Sequence, residues 1–220
     1  MLFLGLNSQA QTTEHITKLE VGKKKTKNFV SRDSSMIVRI DTLIMKDKAK
    51  LEFFGKKDVK LEIGHAIIGK NAVISGSDGK NNATNFDIKV NLQELGSLYV
   101  IARGWDAMNG TKTFPNGNGG KVNFAYANSG IKPQTTDKKG KNYLLIDVQQ
   151  GGLRVNPTSD LQRVYSQISM SGPGLRGVPQ GQVYSGSPGT KGKVEITAYC
   201  MGPAPRRGRP SCLSSNGETP

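Results

Sequence analysis

Apolar residues along this chain come in short runs that alternate with polar ones and stop at Gly, Asn, Asp or Lys. Between residues 36 and 74 five such runs follow one another: 37–40 (IVRI), 49–53 (AKLEF), 59–63 (VKLEI), 66–68 (AII) and 72–74 (AVI). Alternation with period two marks strands, and each run is too short to be stable alone. Two nearly copy each other: Lys50-Leu51-Glu52, flanked by Ala49 and Phe53, recurs as Lys60-Leu61-Glu62, flanked by Val59 and Ile63. A shorter echo follows, with Ala66-Ile67-Ile68-Gly69-Lys70 answered by Ala72-Val73-Ile74-Ser75-Gly76.

Short repeated strands suit a solenoid, in which each coil buries a few inward residues and covers them only when the next coil stacks on it. The ten-residue offset between the two Lys-Leu-Glu triplets is too short for a whole coil. Leu51 and Leu61 therefore read as inward positions on successive faces of one coil. That placement also keeps Lys50 and Lys60 from lying directly over each other at about 4.8 Å, where like charges repel. The pattern predicts an all-β protein, a right-handed parallel β-helix over 36–199 with Gly/Asn-rich loops. Its predicted core includes Leu51, Phe53, Leu61, Ile63, Ile68 and Ile74.

Outside the central stretch, strands are predicted over 86–92, 98–104, 119–124, 143–148, 151–155 and 193–199. The only helical turns the periodicity allows lie near 12–20 and 160–165. Residues 11–35 are polar and lysine-rich and are expected to form a lead-in or cap. Residues 171–192 crowd Gly and Pro without glycine at every third position, which rejects a collagen-like helix. Residues 200–220 have no period and are expected to be a disordered tail. Residues 1–10 (MLFLGLNSQA) combine an apolar run with small residues at Ser8 and Ala10, the expected remnant of a signal peptide cleaved after Ala10. No later stretch approaches the ~20 apolar residues of a membrane-spanning helix.

The Leu98-Tyr99-Val100-Ile101-Ala102-Arg103-Gly104 strand, a Gly/Asn-rich excursion to Gly119-Gly120, and a returning Lys121-Val122-Asn123-Phe124 strand resemble secreted bacterial parallel β-helix surface proteins with glycine-rich turns. The Ser-Gln-Ala-Gln junction resembles that of exported Bacteroidota-like proteins, and Asp41-Thr42-Leu43 resembles their short O-glycosylation sequon. The resemblance covers about 36–155 and implies a secreted or cell-surface location.

Composition agrees with a glycine-rich β fold: the 220 residues include 27 Gly and 10 Pro. The formal charge is +14, from 31 Lys and Arg against 17 Asp and Glu. Such a field attracts any polyanion, whether acidic polysaccharide, lipopolysaccharide or nucleic acid; an ordinary solvated lysine surface would carry the same charge. Alternation places Lys50 and Lys60 outward beside Leu51 and Leu61. The expected ligand site is a lysine strip of Lys46, Lys48, Lys50, Lys56, Lys57 and Lys60 for anionic glycan.

Catalytic signatures are sparse. Gly64–Asn71 (GHAIIGKN) has the spacing of a phosphate loop, but Asn71 replaces its Ser or Thr and a strand follows where a helix must open. Gly172-Pro173-Gly174-Leu175-Arg176-Gly177 matches GxGxxG, yet Pro179 and Gly181 forbid the required helix. His15 and His65 are the only histidines, which leaves neither a hydrolase triad nor a zinc site. Cys200 and Cys212 are equally compatible with a disulfide and with unpaired thiols. Asp78, Asp87 and Asp106 fit Asx-turn capping better than calcium binding. No metal or cofactor is expected. The function expected is a noncatalytic adhesin-like or structural binding module. The alternative is a β-helix polysaccharide lyase recruiting Lys60, Arg103 and Arg154 to neutralise a uronate and abstract a proton. A nucleic-acid binder would want aromatic placement that the chain lacks.

Overall fold

The computed structural model describes residues 12–107, 114–153 and 187–200. The predicted signal remnant, the helical turn at 160–165, Arg154, the GxGxxG match and the tail from 201 onward lie outside them, as does Cys212; Cys200 is disulfide-bonded.

Among the described residues there are eleven strands and no helix: β1 (Thr12–Val21), β2 (Thr26–Phe29), β3 (Ser35–Met45), β4 (Lys50–Phe54), β5 (Asp58–Ile68), β6 (Ala72–Ser77), β7 (Asn85–Leu95), β8 (Ser97–Ile101), β9 (Val122–Ala127), β10 (Tyr143–Asp147) and β11 (Val194–Tyr199). Odd-numbered strands form one sheet in the order β1-β3-β5-β7-β9-β11, and even-numbered strands form a second in the order β10-β8-β6-β4-β2. Every pairing between strands is parallel. The chain thus passes from one sheet to the other and back, one level further along the stack each time: a parallel β-solenoid.

The level-to-level offset is read from the register. Met36 pairs with Thr12 and with Val59, offsets of 24 and 23 residues, and Val59 pairs with Phe86, an offset of 27. Later levels carry longer excursions, because Phe86 pairs with Val122 and Val122 with Val194. Stacked columns follow. Val38, Leu61, Ile88 and Phe124 lie in register in the first sheet, and Leu51, Ile74 and Val100 in the second. All seven are buried in one cluster. Within it Phe29 and Phe53 stack with ring centroids 4.7 Å apart, and Phe53 meets Phe86 of the other sheet edge-on at 5.8 Å. The six core residues expected from the sequence are all buried. Leu51 and Leu61 point inward from different sheets of one level, as their ten-residue spacing requires.

The long strands of the first sheet change their inward parity midway. In β3 the buried positions are Met36, Val38 and Ile40, then Leu43 and Met45; in β5 they are Val59, Leu61 and Ile63, then Ala66 and Ile68. The step of three at each break turns the solenoid wall through a corner while the ladder continues. Gly64 sits at that corner because a Cβ there would come within 2.7 Å of the Asp41 carbonyl oxygen one level below. The sequence reading split 59–63 from 66–68; they are one strand bent at this point.

One expectation is corrected: residues 12–20 are strand rather than helical turns. Within the stretch expected as a lead-in or cap, β1 and β2 each stand at an end of their sheet. In β1 the inward Ile16 and Leu19 are spaced three apart by the same corner, which imitates a helical period.

Candidate functional site

Three turns that carry the chain from the first sheet to the second lie over one another: Gly22-Lys23-Lys24-Lys25, Lys46-Asp47-Lys48-Ala49 and Gly69-Lys70-Asn71-Ala72. Their register is fixed on both sides, since Val21, Met45 and Ile68 pair before them and Thr26, Lys50 and Val73 pair after them. The ladder runs straight through the corner. Lys46 N donates to Val21 O at 3.0 Å, Gly69 N to Met45 O at 2.7 Å, Lys24 N to Asp47 O at 3.0 Å and Lys48 N to Lys70 O at 2.8 Å. Each of the first two turns also closes on itself, Lys25 N to Gly22 O and Ala49 N to Lys46 O.

At the third position of every turn the backbone is left-handed: φ is 59° at Lys24, 59° at Lys48 and 56° at Asn71. Asn tolerates this conformation and Gly prefers it, whereas a lysine adopts it at a cost of about 1 kcal/mol or more. Residues 24 and 48 are therefore lysines despite the backbone they occupy. Their side chains are exposed, as are those of Lys23, Lys25, Lys46 and Lys70. Stacking at about 4.8 Å brings Lys24 over Lys48. Like charges so placed repel, and little in the turns themselves relieves them. Asp47 is their one carboxylate, and its Oδ1 accepts the backbone N–H of Lys70 at 2.9 Å. Lys46 meets Glu20 Oε1 at 2.7 Å; its hydrogen bond, then its charge and that of Lys18, hold the Glu20 carboxyl below its ordinary value.

The six lysines expected to form one strip are divided by this geometry. Lys46 and Lys48 belong to the stacked corner, and Lys50 follows on the outer face of β4 beside it. Lys57 is at the opposite corner, and Lys60 is on the outer face of β5, paired with Glu62 at 2.9 Å. Lys56 is not a surface residue at all. It is fully buried, and its ammonium donates to Ser31 O at 2.6 Å, to Ser31 Oγ at 2.5 Å and to Asp33 O. Gly55, at φ 72°, turns the chain so that Lys56 points into the wall and satisfies the turn one level below. Burial pushes its amine below the ordinary lysine value, and the Asp33 charge opposes that shift. Lys23, Lys24, Lys25 and Lys70 were missed by sequence reasoning; the signal for them is the 23- to 24-residue register, visible only once Val21, Met45 and Ile68 are aligned.

The residues named for a lyase do not converge. Lys60 is on the outside of the first sheet, while Arg103 follows β8 of the second. On the outer face of the first sheet the side chains pair locally: His15 Nε2 lies 2.9 Å from Asp41 Oδ1, and Arg39 Nε donates to Glu62 Oε2 at 2.9 Å. Asp78 caps its own loop, accepting from Lys80 N and Asn82 N, and Asp106 Oδ1 accepts from Gly152 N. Among the described residues no three His, Cys, Asp or Glu side chains are grouped to hold a metal, and no helix is long and apolar enough to cross a membrane. Comparison of the chain with protein-family models, with curated proteins and with solved structures finds no match.

Proposed function

We propose that this protein is a noncatalytic binding module, exported to the surface of a bacterium of the Bacteroidota-like kind, whose stacked lysine corner holds an anionic glycan or envelope polymer. The observation that supports this reading is the presence of lysine at two successive left-handed turn positions, Lys24 and Lys48, where asparagine or glycine would serve the fold at less cost. A linear polyanion laid along the solenoid axis would meet one turn per level and relieve the repulsion between neighbouring ammonium groups. Rigid ladder bonds on both sides of each turn mean that little backbone ordering is lost on binding.

The test is retention on heparin and on immobilised lipopolysaccharide. For about four neutralised charges, affinity should fall roughly a hundredfold between 50 and 200 mM salt if the polymer condenses counterions as duplex DNA does. Replacing Lys24 and Lys48 together with Asn suits the left-handed backbone and should abolish most of the retention, whereas Lys57→Gln with Lys60→Gln should leave it nearly unchanged. Equal losses from the two double variants would reduce the corner to a share of diffuse surface charge.

A further inference from the structure

The outer face of the second sheet carries a cleft of about 560 Å³ that the lysine corner does not touch. Glu52 of β4, Ser75 of β6 and Ile101 of β8 lie in register across three levels, and Phe54 pairs with Ser77 in the next position. Arg103, Trp105 and Asp106 continue from β8 and complete the lining. Serines at 75 and 77 keep the floor low, so the rings of Phe54 and Trp105 stand clear, 67% and 64% exposed.

The backbone that presents Trp105 is held firmly. Its N–H donates to Asn81 O at 2.8 Å and its carbonyl accepts from Gly117 N at 2.9 Å. Gly151 packs so closely that a Cβ there would lie 2.0 Å from the Trp105 carbonyl oxygen. Asp106 is anchored by Gly152 N. Two large apolar rings held in water on a rigid frame oppose the usual gain from burial and are not explained by folding.

The geometry points to a neutral pyranose as the occupant. A pyranose ring has an apolar face of C–H groups, which packs on an aromatic ring, and an edge of hydroxyls, which both donate and accept. Glu52 and Asp106 can accept from those hydroxyls and Arg103 can donate to them. The charge balance of the lining, two carboxylates against one guanidinium, repels a uronate or sulfate and so separates this ligand from the polyanion at the corner. The volume fits one or two sugar rings within the range usual for small-ligand sites. This inference is independent of the corner reading.

The chain contains a single tryptophan, so its fluorescence reports on this cleft alone. The experiment titrates the full chain, in 0.5 M NaCl to silence the corner, with neutral oligosaccharides of gluco-, manno-, xylo- and N-acetylglucosamine type, and separately with heparin. At least one neutral series should shift or quench the emission saturably, and heparin should not. Phe54→Ala should weaken that binding on the order of tenfold, and Glu52→Gln should weaken it as well, with far-ultraviolet circular dichroism unchanged in both. Lys24→Asn with Lys48→Asn should leave it intact. Emission indifferent to every neutral series, a response to heparin alone, or saccharide binding that survives both cleft substitutions would overturn the assignment.

Discussion

Replacing Lys56 with Met separates a structural lysine from the exposed ones, and its cost can be worked from the contacts. Met fills nearly the same volume and keeps the aliphatic stem in place. What it removes is a donor to Ser31 O, Ser31 Oγ and Asp33 O. Leaving a fully buried acceptor unsatisfied costs about 1–3 kcal/mol, and here two part-buried backbone carbonyls are affected. Part of that is offset, because the variant no longer buries an ammonium, whose desolvation already holds the Lys56 amine below its ordinary 10.5. The net expectation is a loss of about 1–3 kcal/mol, read as a lower urea midpoint at unchanged slope. Lys57→Met, one residue away and exposed, should stay within about 0.5 kcal/mol. The pH dependence has a definite sign. Between the lowered folded value and 10.5 the unfolded chain binds more protons at this site, so the parent gains stability over Lys56→Met as pH rises through that window. A Lys56→Met protein as stable as the parent at pH 7 would refute the assigned role and make residue 56 an aliphatic plug.

Two further outcomes follow from the packing and the surface pairs. Leu61, between Val38 and Ile88 in its column, should cost about 2–5 kcal/mol when cut to Ala, seen as a fall in melting temperature. Glu62 is held below its ordinary 4.5, first by its hydrogen bond from Lys60 and then by that from Arg39, against the opposing effect of burial. Its contribution is therefore present above pH 4.5 and lost as pH falls through the folded value. Glu62→Gln should lower stability by up to about 1 kcal/mol at pH 7 and by progressively less as pH falls below 4.5, as urea midpoints across that range will test.

The strand pattern was legible because the inward columns obey simple alternation within each face. Phe53, Leu61 and Ile74 could be placed without knowing what lay above them. Corners were harder to read. At Ile16 to Leu19 the parity break makes a step of three, and in a polar segment such a step reads as helix. Lys56 was illegible for a different reason: lysine is read as outward by default, and only the carbonyls of Ser31 and Asp33, brought alongside by a 23-residue return of the chain, make an inward ammonium sensible. The level-to-level repeat itself was hidden by substitution at equivalent turn positions, where Lys46 takes the place that Gly22 and Gly69 hold in the turns on either side. Phe54 and Trp105 are distant in sequence and come to line one cleft only through two registers, β4 on β6 and β6 on β8.

The parallel ladder also fixes how the molecule answers to force. Its backbone hydrogen bonds point along the stack, so tension applied between Thr12 and Tyr199 loads them end-on and opens them one strand at a time, as a zipper opens, instead of shearing many together. An outer strand bonds a single neighbour in its sheet, so yielding begins at the ends and moves inward level by level. From the Thr12 end successive steps free coils of 24, 23 and 27 residues, on the order of 80 Å of extended chain each, whereas from the Tyr199 end the longer excursions between Val194 and Val122 and between Val122 and Phe86 come free first. A solenoid built this way lengthens stepwise under load, by an increment set by the coil that has just opened, while its remaining levels keep their shape.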